Sequence, residues 1–295
     1  MVKKYDREQL HKPYNNKKKL KKMEKTLANL DSYQAEYYRR LAALPYFTQI
    51  APVIERFLAA IVERGEFYTR VQTAVLADIL EAGAIKSMAE TNSGTTLGGI
   101  ATRRAVTASL FGCDTAALQA ADYPKYGFLS QADARRDLLI NAPMAMQYGD
   151  VSIRLRKSRM MHRTTMCVGN SVNMGNSDMM VPTRTDKIRA TCITGLAHAG
   201  KPQTMPNPMA FYYYLATKIL KGELNADNFA GIDRICDDCP MPIEYFELQY
   251  HGGISLRDDV ERIDVIPSTP EDTDLLNSLK PKFNAIGIPL EIHTF

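Results

Sequence analysis

The segment EYFELQYHGGISL, residues 244–256, carries polar side chains in a pattern that could do chemistry. Tyr245, Glu247, Gln249 and His251 occupy alternate positions, and alternate residues of a strand share one face. A carboxylate and an imidazole on one face could stabilise charge or transfer protons. From residue type alone, a surface carboxylate on an edge strand is the simpler interpretation of Glu247, and a hydrogen-bonded structural histidine is the simpler interpretation of His251.

Two further candidates lie in strand-like stretches earlier in the chain. Arg70 is in the short β-branched and aromatic run FYTRV, and Ser130 ends YGFLS. Arginine always carries charge and recognises phosphate or carboxylate groups with two parallel hydrogen bonds. A salt-bridged surface arginine is the simpler interpretation of Arg70 taken alone.

Helices and strands that would position these residues are visible in the apolar spacing. APVIERFLAAIVERGE, QTAVLADILEAG, RRAVTASLFG and MAFYYYLATKILKG predict helices. DVSIRLR alternates as a strand, RTTMCVGNS is interpreted as its neighbour, and RIDVIP and PLEIHTF predict further strands. The pattern predicts an α+β fold with a mixed or antiparallel sheet, helices packed outside, and a second half with many strands and few helices.

The loop AETNSGTTLGG is rich in glycine and small hydroxyls, including Thr91 and Ser93. Its backbone and hydroxyls could hold a phosphate, but it has neither a Walker pattern nor a dinucleotide fingerprint. A plain surface loop is the alternative.

Other catalytic signatures are missing from the sequence. Cys236 and Cys239 form the only C-x-x-C, without the second pair that a zinc site needs, so two reduced thiols are expected. The five histidines form no H-E-x-x-H motif, and no G-x-S-x-G elbow occurs. The sequence therefore favours neither a metal-dependent hydrolase nor a serine nucleophile.

Composition predicts a soluble globular protein. Hydrophobic residues make up 45% of the 295 residues, and charge interrupts the apolar runs, so no membrane-spanning segment is expected. The charged N-terminus lacks the apolar stretch of a signal peptide, which predicts synthesis in a cytoplasm. Five cysteines at scattered spacing are expected to be reduced.

Positive charge is concentrated at the N-terminus. Residues 1–40 hold 12 Lys/Arg and 5 Asp/Glu, a net of +7, although the whole chain is only +4. Such an arm could bind nucleic acid, anionic lipid or an acidic partner, serve in targeting, or be a solvated tail. We therefore divide the chain into a basic helical extension, 1–45, and a main domain, 46–295.

The order of Arg70, Ser130 and Glu247 resembles the Arg-Ser-Glu class of mono-ADP-ribosyltransferases. The resemblance is closer to a bacterial branch of that superfamily, and it covers the chain from Phe67 onward. It is carried by six blocks in order, namely ETNSGTT, SLFG, YPKYGFLS, YGDVSIRLR, RTTMCVGNS and ELQYHGGISLRDDV.

The resemblance implies a split-sheet transferase core that uses NAD as a substrate and needs no metal. Glu247, Arg70 and Ser130 would be the catalytic residues. NAD would contact Arg70, Tyr126, Phe128, Ser130, Thr91 and Ser93. Tyr245, Gln249 and His251 would lie on the acceptor side.

The chain departs from the family pattern at several positions. Asn170 replaces an Asp, no His precedes Arg70, and Tyr245 stands where the family has a Glu or Gln that selects the acceptor. In the preferred register Glu247 is catalytic; in the other register Gln249 would occupy that position.

The resemblance also implies a biological setting. A basic extension on such a core is typical of a bacterial effector or toxin that is secreted without a Sec signal and acts in the host cytoplasm as a monomer. Tyr245 favours an acceptor other than arginine, such as a threonine or serine of ubiquitin. Two alternatives stay open, a nucleic-acid-binding protein that uses the basic arm and an NAD glycohydrolase without a protein acceptor; the first lacks any aromatic-basic RNA motif or helix-turn-helix.

Overall fold

The computed structural model of the chain describes residues 25–91, 99–131, 148–171, 180–193, 209–239 and 243–293. Within these ranges the strands are β1 Gly65–Val71, β2 Ala84–Ile85, β3 Lys125–Gln131, β4 Val151–Leu155, β5 Thr164–Val168, β6 Thr183–Arg184, β7 Phe246–Tyr250, β8 Ile254–Ser255, β9 Val260–Val265 and β10 Leu290–Ile292. The α-helices are α1 Leu30–Ala42, α2 Phe47–Arg64, α3 Leu76–Ala82, α4 Met88–Thr91, α5 Gly99–Phe111, α6 Lys157–Met160, α7 Ala210–Leu220, α8 Ile232–Ile235, α9 Leu256–Asp259 and α10 Pro270–Ala285.

Eight strands form one sheet in the order β10-β9-β4-β1-β3-β7-β5-β6. Neighbouring strands are antiparallel except for β10 and β9, which are parallel. Strands β2 and β8 form a separate antiparallel pair. The predicted α+β class, with a mixed and mostly antiparallel sheet, is therefore confirmed. The predicted pairing of RTTMCVGNS with DVSIRLR is wrong, because β5 lies between β7 and β6 while β4 lies between β9 and β1.

The two faces of the sheet differ in chemistry because side chains alternate along each strand. One face is apolar and includes the buried residues Phe67, Leu129, Ile153, Met166, Leu248 and Ile263. The opposite face, which we call the polar face, includes Tyr68, Arg70, Tyr126, Phe128, Ser130, Thr165, Cys167, Glu247 and Gln249. The strand registers support this assignment, since Phe128 is paired with both Tyr68 and Glu247, and Gln249 with both Tyr126 and Thr165.

Helix α2 contributes much of the core against the apolar face. Its apolar spacing places Ile54, Phe57, Leu58 and Ile61 on one buried side. The ring of Phe57 lies 6.0 Å from that of Phe246 in β7. Each fully buried side chain of this size contributes about 1.5–3 kcal/mol of transfer free energy, so α2 anchors the centre of the sheet.

The described part of the N-terminal extension is packed against the rest of the fold. Helix α1 buries Leu30, Tyr37 and Leu41 in the main hydrophobic core, which confirms helix formation in this part. The Gln34 side-chain amide donates to the Thr191 hydroxyl at 3.2 Å. Residues 1–24 lie outside the described residues, and the boundary at residue 45 stays a prediction.

Helix α10 was not predicted, because the second half of the sequence was expected to consist mainly of strands. Its start has a recognisable signal: the Thr269 hydroxyl accepts the Asp272 N–H, and Pro270 opens the helix. The four predicted helices are all present, in α2, α3, α5 and α7. No described helix is both long and apolar enough to cross a membrane.

Gly127 of β3 is expected to be intolerant of substitution. A Cβ at this position would lie 2.0 Å from the Tyr68 carbonyl oxygen and 2.6 Å from the Tyr250 ring, and Tyr250 donates its hydroxyl to that same oxygen at 2.8 Å. We expect Gly127→Ala to lower the free energy of unfolding by about 3 kcal/mol in urea titrations, because two backbones must separate. Gly231→Ala is the control, since nothing lies within 4 Å of its Cβ position, and it should change stability by no more than about 0.5 kcal/mol. Equal costs for the two variants would contradict the close approach.

Candidate active site

The residues predicted to be catalytic lie on three consecutive strands of the sheet. Arg70 is on β1, Ser130 on β3 and Glu247 on β7, and the strand order is β1-β3-β7. Phe128 of β3 links the first and last of them, because it is the cross-strand partner of Glu247 and its ring lies 5.6 Å from the Arg70 guanidinium carbon. The structure thus places Arg70 and Glu247 on one face of the sheet with Phe128 as a common neighbour.

Glu247 is a carboxylate in the interior, at 2% exposure. Its Oε1 accepts a hydrogen bond from the Gln249 amide at 2.7 Å, and its Oε2 accepts the Ser171 backbone N–H at 3.3 Å. Burial raises the pKa of Glu247, while the bonds from Ser171 and Gln249 and the charge of Arg103 act in the opposite direction. The alternative interpretation of Glu247, a surface carboxylate on an edge strand, is therefore excluded, because β7 has a partner strand on each side.

A chain of buried hydrogen bonds leads from Glu247 to the N-terminal segment. The Thr165 hydroxyl donates to Gln249 Oε1 at 2.8 Å and lies 3.0 Å from His251 Nε2. The Thr26 hydroxyl lies 2.9 Å from His251 Nδ1. Because Thr165 has one proton and gives it to Gln249, the network assigns the ring hydrogen of His251 to Nε2, and Nδ1 accepts from Thr26.

His251 is held as a neutral imidazole. Burial, reinforced by the charges of Lys125, Arg184 and Arg163, lowers its pKa to about 3. The Phe111 ring packs edge-on at 5.0 Å. Both ring nitrogens are engaged within the protein, so the structure supports the hydrogen-bonded structural role over proton transfer.

Arg70 is buried, and its surroundings fix the guanidinium in one place. Nη1 donates to the Gly149 carbonyl at 3.3 Å. Burial lowers the pKa of Arg70 to about 10, and the nearby charge of Asp150 opposes that shift. Gly149 has a φ of 139°, and a Cβ there would lie 2.1 Å from the Val71 carbonyl oxygen, so glycine is required beside this arginine. Because Arg70 is buried, it is not the salt-bridged surface arginine of the simpler interpretation.

Tyr245 forms an aromatic cluster with Phe128 and Tyr68. Phe128 stacks on Tyr68, with ring centroids 5.6 Å apart and an interplanar angle of 18°. Tyr245 belongs to the same buried cluster, and burial raises the pKa of its hydroxyl well above the usual value, with the charge of Glu247 adding to the shift. The position thus presents a neutral phenol beside Glu247, where the mono-ADP-ribosyltransferases that the motifs resemble have a carboxylate or amide.

The other predicted NAD-binding residues are less closely grouped. Ser130 is buried on the polar face, but its partner across the ladder is Glu66 on β1. Thr91 is exposed at the end of α4, where its hydroxyl donates to the Ser87 carbonyl at 3.3 Å. Ser93 lies outside the described residues. For Thr91 and Ser93, the phosphate-binding prediction stays untested.

Arg103 of α5 is a candidate that sequence reasoning missed. Its guanidinium carbon lies 4.4 Å from the centroid of the Tyr126 ring, a distance suited to a cation–π contact. Its positive charge also acts on Glu247. Arg103 lies in the predicted helix RRAVTASLFG, but nothing in that pattern indicated which side of the helix meets the polar face.

Ser171, Thr165 and Thr26 were also missed as site residues. Ser171 ends the VGNS block, in which only Asn170 was singled out; the Asn170 amide donates to the Tyr148 hydroxyl at 3.0 Å. The strand pattern of RTTMCVGNS identifies Thr165 as a site residue only when its strand, β5, is known to pair with β7. Thr26 is separated from His251 by 225 positions, and no local signal could have joined the two.

One group of side chains in the described part of the chain has the composition of a metal site. Ligand atoms of Asp264, Glu291 and His293 lie within 4.8 Å of one another. However, Asp264 accepts from Arg262 Nε at 2.8 Å and lies 3.1 Å from His293 Nε2, so an arginine already neutralises the carboxylate. The ion pair accounts for the cluster. The cluster lies on β9, on β10 and just after β10, and strands β4, β1 and β3 separate it from β7. The expectation that no metal is required stays a prediction.

Two threonine variants on adjacent positions of β5 test whether the hydrogen-bond chain positions Glu247. Thr165→Val removes the link between His251 and Gln249, and Thr164→Val removes a bond of similar length, 2.8 Å, to the Met160 carbonyl on the other face. Each should cost about 1–3 kcal/mol of unfolding free energy. For the NAD cleavage that the motif resemblance implies, we expect only Thr165→Val to lower kcat, by about tenfold, because a misplaced carboxylate loses transition-state stabilisation. Equal kcat values in the two variants would show that the hydrogen-bond chain from His251 to Glu247 is purely structural.

Two comparisons of the sequence with known proteins give no match. No protein-family model matches the chain, and no curated protein sequence matches it significantly.

Proposed function

We propose that this chain is an NAD-dependent mono-ADP-ribosyltransferase with a split-sheet catalytic core. The observation that supports this most strongly is the buried Glu247 carboxylate on the interior strand β7, which shares a face of the sheet with the Arg70 guanidinium and has Phe128 as a common neighbour. A protein that keeps a carboxylate and a guanidinium buried on one face spends stability on them, which is typical of functional sites. The resemblance in motif order supplies the reaction class.

The reaction places positive charge where Glu247 can act on it. The bond between C1′ of the ribose and the nicotinamide nitrogen breaks, nicotinamide leaves with the bonding pair, and C1′ and the ring oxygen share the positive charge. A preorganised carboxylate in a water-poor site stabilises that charge. The acceptor oxygen then bonds to C1′ and releases its proton, and burial suits Glu247 to receive it because the pKa of its carboxyl group is raised.

The remaining residues have supporting roles in this proposal. Arg70 binds the phosphates of NAD, Phe128 and Tyr126 provide the aromatic wall for nicotinamide, and Ser130 contacts the ribose. Gln249 orients Glu247 through its 2.7 Å bond, which favours the register in which Glu247 is the reactive carboxylate. His251 acts through Thr165 and Gln249 as a positioning residue.

The neutral phenol of Tyr245 beside Glu247 favours an acceptor that does not need a second carboxylate for recognition, such as a threonine or serine hydroxyl. We propose a host protein as the acceptor, of which ubiquitin is one example. The setting that goes with this proposal is a bacterial effector or toxin, secreted without a Sec signal and active as a monomer in the host cytoplasm.

NAD labelled in its adenylate moiety tests the proposal in a host-cell lysate. The wild-type chain should transfer label to one predominant protein band, and Glu247→Gln should not. Absence of any labelled protein with the wild type, in a lysate where a known ADP-ribosyltransferase gives label, would contradict the transferase proposal. Labelled nucleotide freed without labelled protein would instead favour the glycohydrolase alternative.

A further inference from the structure

The two cysteines of the C-x-x-C sequence, Cys236 and Cys239, lie in a turn that follows α8 and precedes β7. The Cys239 backbone N–H donates to the Cys236 carbonyl at 3.0 Å, which closes a β-turn with one cysteine at each end. The Cα atoms at the ends of such a turn are less than about 7 Å apart, and disulfides usually join Cα atoms separated by about 4.4–6.8 Å. The backbone of the turn therefore holds the two cysteines at the separation that a disulfide spans.

Both side chains of this pair point into the interior. Cys236 and Cys239 belong to the main hydrophobic core, and both are thiols. The charge of Cys239 contributes to the pKa of Cys236, which requires that the two sulfur atoms lie near each other. Cys236 is fully buried, whereas Cys239 is 8% exposed. A reagent in solution therefore meets Cys239 first.

Polar side chains of α7 hold the turn and affect the ionisation of Cys236. Lys218 Nζ lies 3.1 Å from Asp238 Oδ1 in the middle of the turn, and the Tyr214 hydroxyl donates to the same carboxylate. Burial raises the pKa of Cys236 to about 11, whereas Tyr214 and the charge of Lys218 act in the opposite direction. Because the thiolate is the reactive form of cysteine, these two groups of α7 favour the reactive state of a thiol that burial alone would make inert.

The other three cysteines do not combine these properties. Cys167 and Cys192 are close in space, because the Val168 N–H donates to the Cys192 carbonyl at 2.9 Å, but both are fully buried. Cys113 is half-buried, and burial and the charge of Asp114 both raise its pKa. Only the turn after α8 has two neighbouring thiols, of which one reaches the surface, among the residues that the structure describes.

We infer that Cys236 and Cys239 form a redox-active dithiol, which a low-molecular-weight disulfide such as glutathione disulfide converts into a disulfide across the turn. The Cys239 thiolate attacks one sulfur of glutathione disulfide, and the first glutathione leaves as a thiolate from the mixed disulfide. The Cys236 thiolate then attacks the Cys239 sulfur and displaces the second glutathione. Two protein thiols are oxidised, one glutathione disulfide is reduced to two glutathione molecules, and these take up the two thiol protons. This chemistry goes beyond the proposed transferase function and does not depend on it.

Mass spectrometry of the full chain, equilibrated with mixtures of glutathione and glutathione disulfide, tests the inference. After acid quenching, alkylation and digestion with trypsin, both cysteines are on the peptide 235–257, which contains no other cysteine. In oxidising mixtures the wild-type peptide should carry no alkyl group and be two hydrogen atoms lighter than the reduced peptide. Chemical reduction before alkylation should restore two alkyl groups.

Two serine variants test the order of the steps. Cys236→Ser cannot complete the second step, so its Cys239 should carry at least about tenfold more glutathione than Cys239 of the wild type. Cys239→Ser retains only the fully buried Cys236 and should carry little glutathione. Cys113→Ser is the control and should leave the oxidation of the peptide 235–257 unchanged. Circular dichroism checks that each variant is folded, and the wild-type measurement does not depend on any variant.

Three results would overturn the inference. The wild-type peptide could remain doubly alkylated in every glutathione mixture, it could accumulate glutathione without closing the disulfide, or Cys239→Ser could carry as much glutathione as Cys236→Ser. Since no step of the experiment uses NAD, any of these results would leave the proposed transferase untouched. Conversely, a chain that leaves NAD intact would still show the disulfide.

Discussion

Glu247→Gln is expected to lower the rate of nicotinamide release from NAD by at least about 100-fold, the usual cost of removing a preorganised electrostatic stabiliser, while the unfolding free energy falls by no more than about 1–3 kcal/mol. The first effect follows because the amide cannot stabilise a developing positive charge as a carboxylate does. The second effect has two opposing causes: burial raises the pKa of Glu247 and so disfavours its charged form, but the amide has one acceptor oxygen where the carboxylate accepts from both Gln249 and Ser171. Release of nicotinamide and thermal unfolding are measured on the same preparation.

Glu244→Gln is the matched control for this substitution. Glu244 lies three positions away, burial also raises its pKa, and it accepts from the Asn170 amide at 3.5 Å. Because it precedes β7 and is outside the polar face, its removal should change the rate by less than about threefold, within the range of substitutions that do not contact the transition state. Equal losses in the two variants, or an active Glu247→Gln enzyme, would remove Glu247 from its role.

His251 is expected to dominate the loss of stability in acid. Its pKa is about 3 in the folded protein against 6.5 for a free side chain, which corresponds to roughly 5 kcal/mol of unfolding free energy. Because the folded pKa is depressed, this contribution is complete above the unfolded pKa and is lost as the pH falls through the interval between the two values. Glu247 acts in the opposite direction, since its raised pKa makes the folded state relatively more stable in acid.

Urea unfolding of His251→Gln across this pH interval checks the prediction. The variant should be less stable than wild type near neutrality, because the bonds to Thr26 and Thr165 are altered, but its stability should fall less steeply as the solution is acidified. His162→Gln is the control, because the His162 side chain is exposed, although partial desolvation also lowers its pKa. Parallel pH profiles for wild type and His251→Gln would mean that the imidazole is not held neutral.

The alternation of Tyr245, Glu247, Gln249 and His251 was sufficient to predict one shared face, because the side-chain period of a strand is fixed at two. The β-branched and aromatic composition of FYTRV placed Arg70 in a short strand. It could not give the order of strands in the sheet: β5 is paired with β7 rather than β4, because pairing depends on how distant segments pack. The signal for α10, a threonine N-cap followed by proline, was present in the sequence but was outweighed by the surrounding strand patterns.

The contacts that complete the site were beyond sequence reasoning for a different reason. Thr26 reaches His251 across 225 positions, and Arg103 meets Tyr126 only because α5 packs beside β3. Such pairs are set by tertiary packing, which leaves no periodic trace in a single sequence. Residue type alone favours an exposed Glu247, because carboxylates are rarely buried unless they are hydrogen-bonded. One partner that allows its burial, Gln249, is two positions away, and the other, the Ser171 backbone N–H, comes from a distant segment.

The stoichiometry of NAD cleavage tests the proposed transferase function most directly. NAD that carries one label in the nicotinamide and another in the adenylate is incubated with the purified full chain, with and without the acceptor protein identified in lysate. The proposed transferase function predicts one nicotinamide freed for each ADP-ribose attached to the acceptor, and neither product with Glu247→Gln. Release of nicotinamide at the same rate without acceptor would identify a glycohydrolase, and no release above the buffer control would contradict the assignment of the Glu247 face to NAD.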